Sequence, residues 1–438
     1  MDVTTPGRRA AYESMRAVSR GRRIDLAFAE ASDRLDPRER RWVHELVYGA
    51  VRLRGRLDHL LDAQLDRGIG SVADDVLDVL RMGAYQVLYM GSVPGYAAVS
   101  QTVDQARAVG GKGVAGLVNA VLRSVARVGD GPEHFPDPET QPADFLSTWG
   151  SHPRWLVDRW LARWSAAEVT GLVEANNKVP PLFVRPFGAC LERAAERLAD
   201  RGIIATLEQA GNVCLRVESG HTPGEVLSAI AGVIQDPGSA LVTVYAGIEP
   251  GSTVADLCAA PGGKALSIAE GGARYVVAAD SSMRRMNLLR SNAGRLGAGI
   301  SDRVGMVVAD ARRPAVRGAD VVLLDVPCSG TGTLRRHPDA RWRLSPEGMA
   351  GLVALQAEIL EAASDLVPPG GLLVYATCSL EDEENAAQVE AFLGGHPEFT
   401  IDPGNGVDQS RLDQQGLLRL LPQVTGFDGA FAARLRRA

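Results

Sequence analysis

The sequence predicts a multidomain protein with an N-terminal all-α bundle, a small α+β subdomain and a C-terminal α/β Rossmann-like domain. Helical periodicity without strand-like alternation fills residues 1–130. Short β-like runs and one helical pattern occupy residues 131–240, and strands alternate with helices over residues 241–438. A chain of 438 residues has room for roughly two to four domains.

The N-terminal segment is dominated by amphipathic helices. In "GKGVAGLVNAVLRSVAR" the apolar residues recur at helical spacing, which predicts one buried face: Val114, Leu117, Val118, Val121, Leu122 and Val125. Residues 131–150 then have the Pro-, Gly- and acid-rich composition of a linker. After two further helical patterns, "IIATL" and "VCLRV" predict strands of a small α+β subdomain.

The C-terminal segment alternates between strand and helix patterns. We expect strands at "STVADL", "ARYVVAAD", "VGMVVAD", "ADVVLLD" and "LLVYAT", with helices between most of them. This alternation is typical of a doubly wound parallel sheet. The last segment, "GLLRLLPQVTGFDGAFAARLRRA", predicts a closing hairpin.

Composition excludes several classes of protein. The net charge of −6 argues against a chain held on nucleic acid by bulk charge, although arginines cluster locally at Arg335, Arg336, Arg341 and Arg343. Five widely spaced cysteines with no C-x-x-C pair predict neither a disulfide framework nor a metal site. No apolar leader or membrane-spanning run is evident, so we expect a cytoplasmic protein that contacts no membrane.

Three acids follow predicted strands in the α/β domain. Asp256 precedes the small-residue turn Cys258–Lys264, which lets backbone N–H groups approach a ligand at a helix N-terminus. Asp280 lies 24 residues later, a spacing that suits a ribose diol, and Asp310 follows the third strand. The turn is neither a P-loop nor a G-x-G-x-x-G motif, so S-adenosylmethionine is the favoured cofactor.

Two cysteines follow neighbouring predicted strands. Cys328 lies in "DVPCSGTG", three residues after Asp325, and Cys378 lies in "YATCSL". A buried structural cysteine or a redox pair is the alternative for either thiol alone. Together, and with an acid beside them, they favour methylation of a pyrimidine at C5. A thiolate that adds to C6 makes C5 nucleophilic, and an acid at N3 stabilises the developing charge.

These motifs together resemble the bacterial ribosomal RNA cytosine-C5 methyltransferases of the Sun/Fmu (RsmB-like) group, within the NOL1/NOP2/Sun family. "DLCAAPGGK", "DVPCSGTGTLRRHPDARW" and "YATCSL" are similar to the catalytic motifs of that group. "ELVYGAVR" and "GLVNAVLR" are similar to its NusB-like RNA-binding domain, and the resemblance extends over nearly the whole chain.

The resemblance implies a role for each motif residue. Cys378 would be the nucleophile, Cys328 would aid product release, and Asp325 would lie near the base and the methionine end of the cofactor. Asp280 and Arg285 would hold the ribose, and Asp310 would lie at the adenine. The rest of the cofactor site would be the turn formed by Cys258, Ala259, Ala260, Pro261, Gly262, Gly263 and Lys264. The residues alone do not rank the two thiols.

The sequence therefore predicts an RNA (cytosine-C5) methyltransferase that acts, as a monomer and without a metal, on 16S ribosomal RNA or a small-subunit assembly intermediate. Two alternatives stay open: the same reaction on transfer RNA, and a non-catalytic RNA-binding or antitermination factor. If the four clustered arginines contact phosphates, affinity for RNA should fall steeply with salt.

Overall fold

A computed structural model of the protein describes residues 5–91, 94–208, 213–404 and 406–438. The chain forms two compact units. Unit 1 comprises the residues up to Val179 together with Leu334–Arg343, and unit 2 comprises Pro180–Thr333 and Leu344–Ala438. The domain boundaries at residues 130 and 240 that the sequence suggests stay predictions.

Unit 1 is helical throughout the residues that the structure describes. Its helices begin where the sequence supplies caps: Asp36, for example, accepts hydrogen bonds from the N–H groups of Arg38 and Glu39, with Pro37 in the first turn. Two 3₁₀ turns, Ile69–Ser71 and Pro132–His134, lie between helices. The helices are α1 (Pro6–Ser19), α2 (Ile24–Ala31), α3 (Pro37–Arg52), α4 (Arg54–Asp62), α5 (Asp74–Tyr89), α6 (Gly95–Val128), α7 (Pro142–Thr148), α8 (Arg154–Leu161), α9 (Ala166–Asn177) and α16 (Ala340–Arg343).

The core of unit 1 confirms most of the predicted apolar face. In α6, Val118, Val121, Leu122 and Val125 are buried in one cluster with residues of α1, α3 and α5. Val114 is half-buried against the same cluster, whereas 40% of Leu117 is exposed to solvent. Helix α6 also departs from helical geometry at Gly111, where φ is +78°, so the predicted helix forms the second half of a kinked one.

The segment Leu334–Arg343 contributes Trp342 and Arg341 to unit 1. Trp342 packs against the helical core and donates its indole N–H to the Val51 carbonyl at 2.9 Å. Arg341 is fully buried, and burial lowers its pKa. Its terminal nitrogens donate to the carbonyl oxygens of Arg52, Ser151, Asn176 and Leu334 and to the Asn177 side chain.

This burial corrects one expectation from the sequence. Arg341 was grouped with the arginines that could contact RNA phosphates, but its guanidinium is 0% exposed and bound to carbonyl groups. Arg343, in contrast, is partly exposed and pairs with Asp339 at 2.9 Å. The charged run after "GTG" therefore includes at least one arginine whose role is internal.

Unit 2 begins with the predicted small α+β element. Its elements are β1 (Leu182–Pro186), α10 (Leu191–Ala199), β2 (Ala205–Leu207), β3 (Leu215–Val217), α11 (Pro223–Ala229) and β4 (Gly232–Ile234). The strands form an antiparallel sheet in the order β2-β3-β1-β4. The segments "IIATL" and "VCLRV" supply β2 and β3, as predicted.

The remainder of unit 2 is a larger α/β layer structure. It contains α12 (Pro237–Ala246), β5 (Thr253–Asp256), α13 (Gly263–Glu270), β6 (Tyr275–Asp280), α14 (Met283–Leu296), α15 (Ala298–Ser301), β7 (Val304–Val308), β8 (Val321–Asp325), α17 (Pro346–Ser364), β9 (Leu372–Thr377), α18 (Ala386–Gly395), β10 (Phe399–Ile401), β11 (Leu418–Leu420), α19 (Pro422–Thr425) and β12 (Ala430–Arg437). Three 3₁₀ turns lie at Thr331–Thr333, Asp382–Glu384 and Gln409–Arg411.

The large sheet is mixed rather than wholly parallel. Strands β7-β6-β5-β8-β9 are parallel. Strand β12 pairs antiparallel with β9, and β10 and β11 pair antiparallel with β12. The predicted closing hairpin is thus formed by β11 and β12. Strand β12 is also an interior member of the sheet, which agrees with its nearly continuous burial.

Alternate residues of the central strands face opposite layers of helices. On β8, Val322 and Leu324 pack with α17 and α18, whereas Leu323 packs with α13 and α14. A strand buried on both faces explains the unbroken apolar run that precedes Asp325. Strand order reverses between β5 and β8, so the carboxyl ends of these strands form the usual ligand crevice of an open α/β sheet.

Among the described ranges, no helix is both long enough and apolar enough to cross a membrane.

Candidate active site

The predicted acids gather at the carboxyl ends of the parallel strands. Asp256, Asp280 and Asp325 are the last residues of β5, β6 and β8. Asp310 lies two residues beyond the end of β7, so it belongs to the following loop. The register of β5 between β6 and β8 brings the first three acids to one edge of the sheet.

The turn after β5 approaches its neighbours too closely for ordinary side chains. Gly262 has φ +105°, and a Cβ there would lie 2.8 Å from Leu289 Cγ. Helix α13 starts directly after it, so the glycine sets the direction in which the first N–H groups of that helix point. Cys258, within the same turn, is largely shielded, and burial raises its pKa.

Asp256 is fully buried at the base of this turn. Its Oδ1 accepts a hydrogen bond from the Cys258 N–H at 3.3 Å, while its Oδ2 has no partner among the described residues. Burial, and next the negative charge of Asp325, raise the pKa of Asp256 to about 7. A buried acceptor without a donor indicates a place for a ligand group that donates.

Asp280 and Asp310 differ in their surroundings. Asp280 is 3% exposed, accepts from the Ser282 N–H at 2.9 Å and pairs with Arg285 at 2.9 Å. Arg285 also donates to the Ala260 carbonyl, which ties this pair to the glycine-rich turn. The Asp310 carboxylate is 43% exposed, and hydrogen bonds from Arg312 lower its pKa to about 2.

Lys264 leaves the glycine-rich turn and reaches the next strand end. Its Nζ lies 2.7 Å from Asp325 Oδ2 and 3.0 Å from Ser239 Oγ. Burial alone would lower the pKa of Lys264, but the charge of Asp325 and the hydrogen bond to it outweigh burial and raise that pKa. Lys264 therefore keeps a positive charge between the glycine-rich turn and the thiols.

The two predicted thiols meet. Strands β8 and β9 are parallel neighbours, and Cys328 Sγ lies 3.4 Å from Cys378 Sγ. The hydrogen bond to Cys378, followed by burial, raises the pKa of Cys328 well above its ordinary value. Cys328 therefore holds its proton at neutral pH, and either sulfur could be the donor in this contact.

Gly332 lets the two loops approach each other. Its N–H donates to the Cys378 carbonyl at 2.9 Å, and its own carbonyl accepts from the Gly429 N–H at 2.8 Å. A Cβ on Gly332 would lie 2.7 Å from Gly429 Cα and 2.8 Å from the Cys378 carbonyl oxygen. The second glycine of "SGTG" is thus required by packing around the thiol pair.

Sequence reasoning missed several residues of this site. Glu384 and Gln356 lie directly behind the thiol loops, and Ser239 contacts Lys264. Gln356 is a lone amide in the apolar stretch "LVALQAEIL", a signal that could have drawn attention. Glu384 is one of three glutamates in the acidic run "EDEEN", and Ser239 lies in "QDPGSAL", where no pattern distinguishes it.

The turn and its acids fit S-adenosylmethionine. That molecule carries an ammonium group and two ribose hydroxyls, all of them donors, and the site offers the unpartnered Oδ2 of Asp256 and the strand-end carboxylate of Asp280. By contrast, the described ranges contain no group of three or more His, Cys, Asp or Glu arranged to hold a metal ion.

Comparison with known families matches all three parts of the chain. Residues 245–436 match the family described as 16S rRNA methyltransferase RsmB/F, and residues 6–127 match the NusB family. Residues 152–223 match the ferredoxin-like domain described for RsmF/B-like methyltransferases. The three matches agree with the α/β sheet, the helical bundle and the small antiparallel sheet.

Relatives that match over nearly the whole chain are named as small subunit ribosomal RNA methyltransferases. A probable ribosomal RNA small subunit methyltransferase B from Synechocystis is 36% identical over 92% of each chain. The ribosomal RNA small subunit methyltransferase B of Vibrio vulnificus is 33% identical, covering 97% of this chain and 98% of its own.

Solved structures share the fold. The crystal structure of PH0851 is 26% identical and superposes with a TM-score of 0.80 over 99% of both chains. A methyltransferase homolog from Pyrococcus horikoshii, at 24% identity, covers 69% of this chain with a TM-score of 0.55 and supports the fold alone. The chain therefore belongs to the RsmB/F family of 16S ribosomal RNA methyltransferases, and it is an RNA methyltransferase with an N-terminal NusB domain.

Proposed function

We propose that the protein methylates C5 of a cytosine in 16S ribosomal RNA, free or within an assembling small subunit, through a covalent adduct between Cys378 and C6 of the base. It would act as a monomer in the cytoplasm. The observation that carries the proposal is the thiol pair 3.4 Å apart at the ends of two adjacent strands, beside the Lys264–Asp325 ion pair. Family membership alone supports the coarser statement, an rRNA small subunit methyltransferase.

In this proposal each thiol has its own task. The Cys378 thiolate adds to C6, the Sγ–C6 bond forms, and the electron pair of the C5–C6 double bond moves toward N3 and the carbonyl oxygen. Cys328 keeps its proton, because the hydrogen bond to Cys378 and burial raise its pKa. After methylation water takes the C5 proton, the C5–H electron pair re-forms the C5–C6 double bond, and the Sγ–C6 bond breaks so that Cys378 leaves as a thiolate. Cys328 assists this departure by donating a hydrogen bond to the leaving sulfur.

The neighbouring charges suit the developing charge on the ring. Asp325 would face the N3 edge of the base, and the Lys264 ammonium at 2.7 Å would stabilise negative charge there. Bound S-adenosylmethionine would supply the electrophilic methyl group. Asp256, Asp280 with Arg285, and the turn Cys258–Lys264 would hold that cofactor, and Asp310 would lie at its adenine.

Methyl transfer from labelled S-adenosylmethionine to unmodified 16S ribosomal RNA tests the proposal. We expect label in 5-methylcytosine with wild type, none with Cys378→Ala, and a protein–RNA adduct on a denaturing gel with Cys328→Ala. The exposed Cys190 provides a matched control, and Cys190→Ala should behave as wild type.

Other outcomes would favour the alternatives. Label on transfer RNA but not on 16S RNA would move the substrate assignment to transfer RNA. Retained cofactor binding without transfer to either RNA would favour a binding factor. A fully active Cys378→Ala variant would contradict the covalent mechanism.

A further inference from the structure

The loops that carry the two thiols share one buried carboxylate. Glu384 lies in the 3₁₀ turn after β9 and is 0% exposed. Its Oε1 accepts from the Ser329 N–H at 2.8 Å, and its Oε2 accepts from the Ser329 hydroxyl. Ser329 directly follows Cys328, so the carboxylate binds the loop at the residue next to that thiol.

The side-chain amide of Gln356 is a further hydrogen-bond partner of the carboxylate. Gln356, on α17, donates to Glu384 Oε1 and to the Pro327 carbonyl, both at 2.9 Å. Pro327 directly precedes Cys328, so the residues on both sides of this cysteine are held by one connected group. The Tyr375 hydroxyl, on β9, donates to the Glu384 carbonyl at 2.6 Å and fixes the turn from the other strand.

The network continues to the second thiol. The Ser329 and Ser379 hydroxyl oxygens lie 3.0 Å apart, and Ser379 directly follows Cys378. The Thr377 hydroxyl donates to Asn385 Oδ1 at 2.6 Å, and the Asn385 amide donates to the Ser379 carbonyl at 2.9 Å. Cys328 and Cys378 are therefore bracketed by residues whose positions depend on the Glu384 turn.

The Glu384 carboxylate is a buried charge with neutral hydrogen-bond partners. The partners that surround the Glu384 carboxylate at hydrogen-bond distance are neutral donors: a backbone N–H, a hydroxyl and an amide. Burying a carboxylate is costly unless such donors satisfy it, and a neutral side chain would fill the same space more cheaply. A fully satisfied buried polar network rigidifies the region around it, and here that region contains both thiol loops and the Sγ–Sγ contact.

We propose that Glu384 is a positioning residue for methyl transfer, which holds the Cys328 and Cys378 loops in one fixed relation through Ser329, Gln356 and Ser379. The inference rests on the covalent mechanism proposed above. Glu384 touches neither substrate nor cofactor in this proposal; it acts through the two thiol loops.

Substitutions separate positioning from simple stability. Glu384→Ala removes the shared acceptor, and we expect kcat to fall about 100-fold with KM values for RNA and S-adenosylmethionine within about threefold of wild type. Glu384→Gln should restore most of the rate. Its carbonyl can still accept from the Ser329 N–H and Gln356, and its amide can donate to the Ser329 hydroxyl, which then turns toward Ser379.

The adduct gives a readout specific to the thiols. In the Cys328→Ala background, where the Cys378–RNA adduct should accumulate, addition of Glu384→Ala should slow adduct formation about as much as it slows turnover. All rates are divided by the fraction of protein that binds S-adenosylhomocysteine, so that loss of folded protein does not count. Glu390→Ala, an exposed glutamate on α18, is the matched control.

The outcomes distinguish this inference from the mechanism beneath it. Absence of any adduct or 5-methylcytosine with unaltered Glu384 overturns the proposed function itself. Normal adduct formation with normalised Glu384→Ala rates equal to wild type overturns only the positioning role. If Glu384→Ala does not fold, Ser329→Ala decides: about a tenfold slower adduct formation supports the role, and an unchanged rate contradicts it.

Discussion

The two halves of the sheet edge hold their functional groups in different ways. In the half that we propose to hold the cofactor, called the cofactor half below, Asp256 and Asp280 lie at the ends of β5 and β6. They are fixed by groups two to five residues along the chain, such as Ser282 and Arg285. In the thiol half, Cys328 and Cys378 are 50 residues apart and are held by side chains from other elements. Each acid of the first half has partners close to it in sequence, whereas the partners of the thiols come from distant parts of the chain.

This difference predicts how each half fails. A local site should lose ligand affinity when one carboxylate is removed, while the rest of the turn stays in place. A site assembled across the fold should lose rate instead, because the contacting loops shift relative to each other. Lys264 lies where the halves meet, since it leaves the cofactor turn and binds Asp325.

The largest effect is expected from Asp256, whose buried carboxyl makes folding depend on pH. Its folded-state pKa of about 7 lies above its value of 3.8 without the protein environment, so the stabilisation that it contributes is complete below about pH 4 and is lost as pH rises through 7. About three pH units correspond to roughly 4 kcal/mol in the free energy of unfolding, of which about two units, or roughly 3 kcal/mol, fall between pH 5 and pH 8. Denaturant unfolding of wild type and Asp256→Asn at pH 5 and pH 8 measures it.

Asn keeps the acceptor for the Cys258 N–H but cannot ionise, so Asp256→Asn should lose much less stability than wild type between these pH values. Equal pH dependence of the two proteins would mean that Asp256 is ionised throughout, with its second oxygen satisfied in solution.

The next effect is expected from Lys264→Met. Loss of the ammonium leaves Asp325 without its partner and removes the cation beside Cys378, so we expect kcat to fall about 100-fold. Binding of S-adenosylhomocysteine, measured by calorimetry, should change by less than about threefold, because the turn would hold the cofactor through backbone N–H groups that this substitution keeps. Lys178→Met, at an exposed lysine, serves as the control. Loss of affinity with an unchanged kcat would assign Lys264 to the cofactor half.

A smaller effect is expected from Asp280→Asn. The carboxylate is almost fully buried and bound to Arg285, so an amide should weaken cofactor binding about 10- to 30-fold, mainly through the lost charge-assisted hydrogen bonds. The rate of methyl transfer at saturating S-adenosylmethionine should stay within about threefold of wild type. A variant that binds normally but turns over slowly would break the distinction between the two halves.

The smallest effect is expected from Asp310→Asn. Nearly half of this carboxylate is exposed and Arg312 already occupies it, so we expect cofactor affinity to change by about threefold or less. The same calorimetric titration measures it. A loss above tenfold would indicate that Asp310 turns from Arg312 to the cofactor on binding, and would return it to the role that the resemblance implies.

Local patterns in the sequence were enough to predict the strands and the reactive residues at their ends. Apolar runs capped by Asp256, Asp280 and Asp325 identified β5, β6 and β8 because strand period and burial are local properties. The same reasoning predicted that Cys328 and Cys378 would meet, since carboxyl ends of neighbouring parallel strands share an edge. The family motifs followed from short, contiguous stretches.

The side chains that support those motifs become apparent only in the folded chain. The burial of Arg341 among carbonyl groups of unit 1, the insertion of β12 beside β9, and the Glu384 carboxylate behind both thiols involve partners far apart in the chain. Periodicity and residue spacing do not predict contacts between such distant residues. A buried charge and an exposed charge look alike in a sequence, because the free energy that separates them comes from the neighbours that folding supplies.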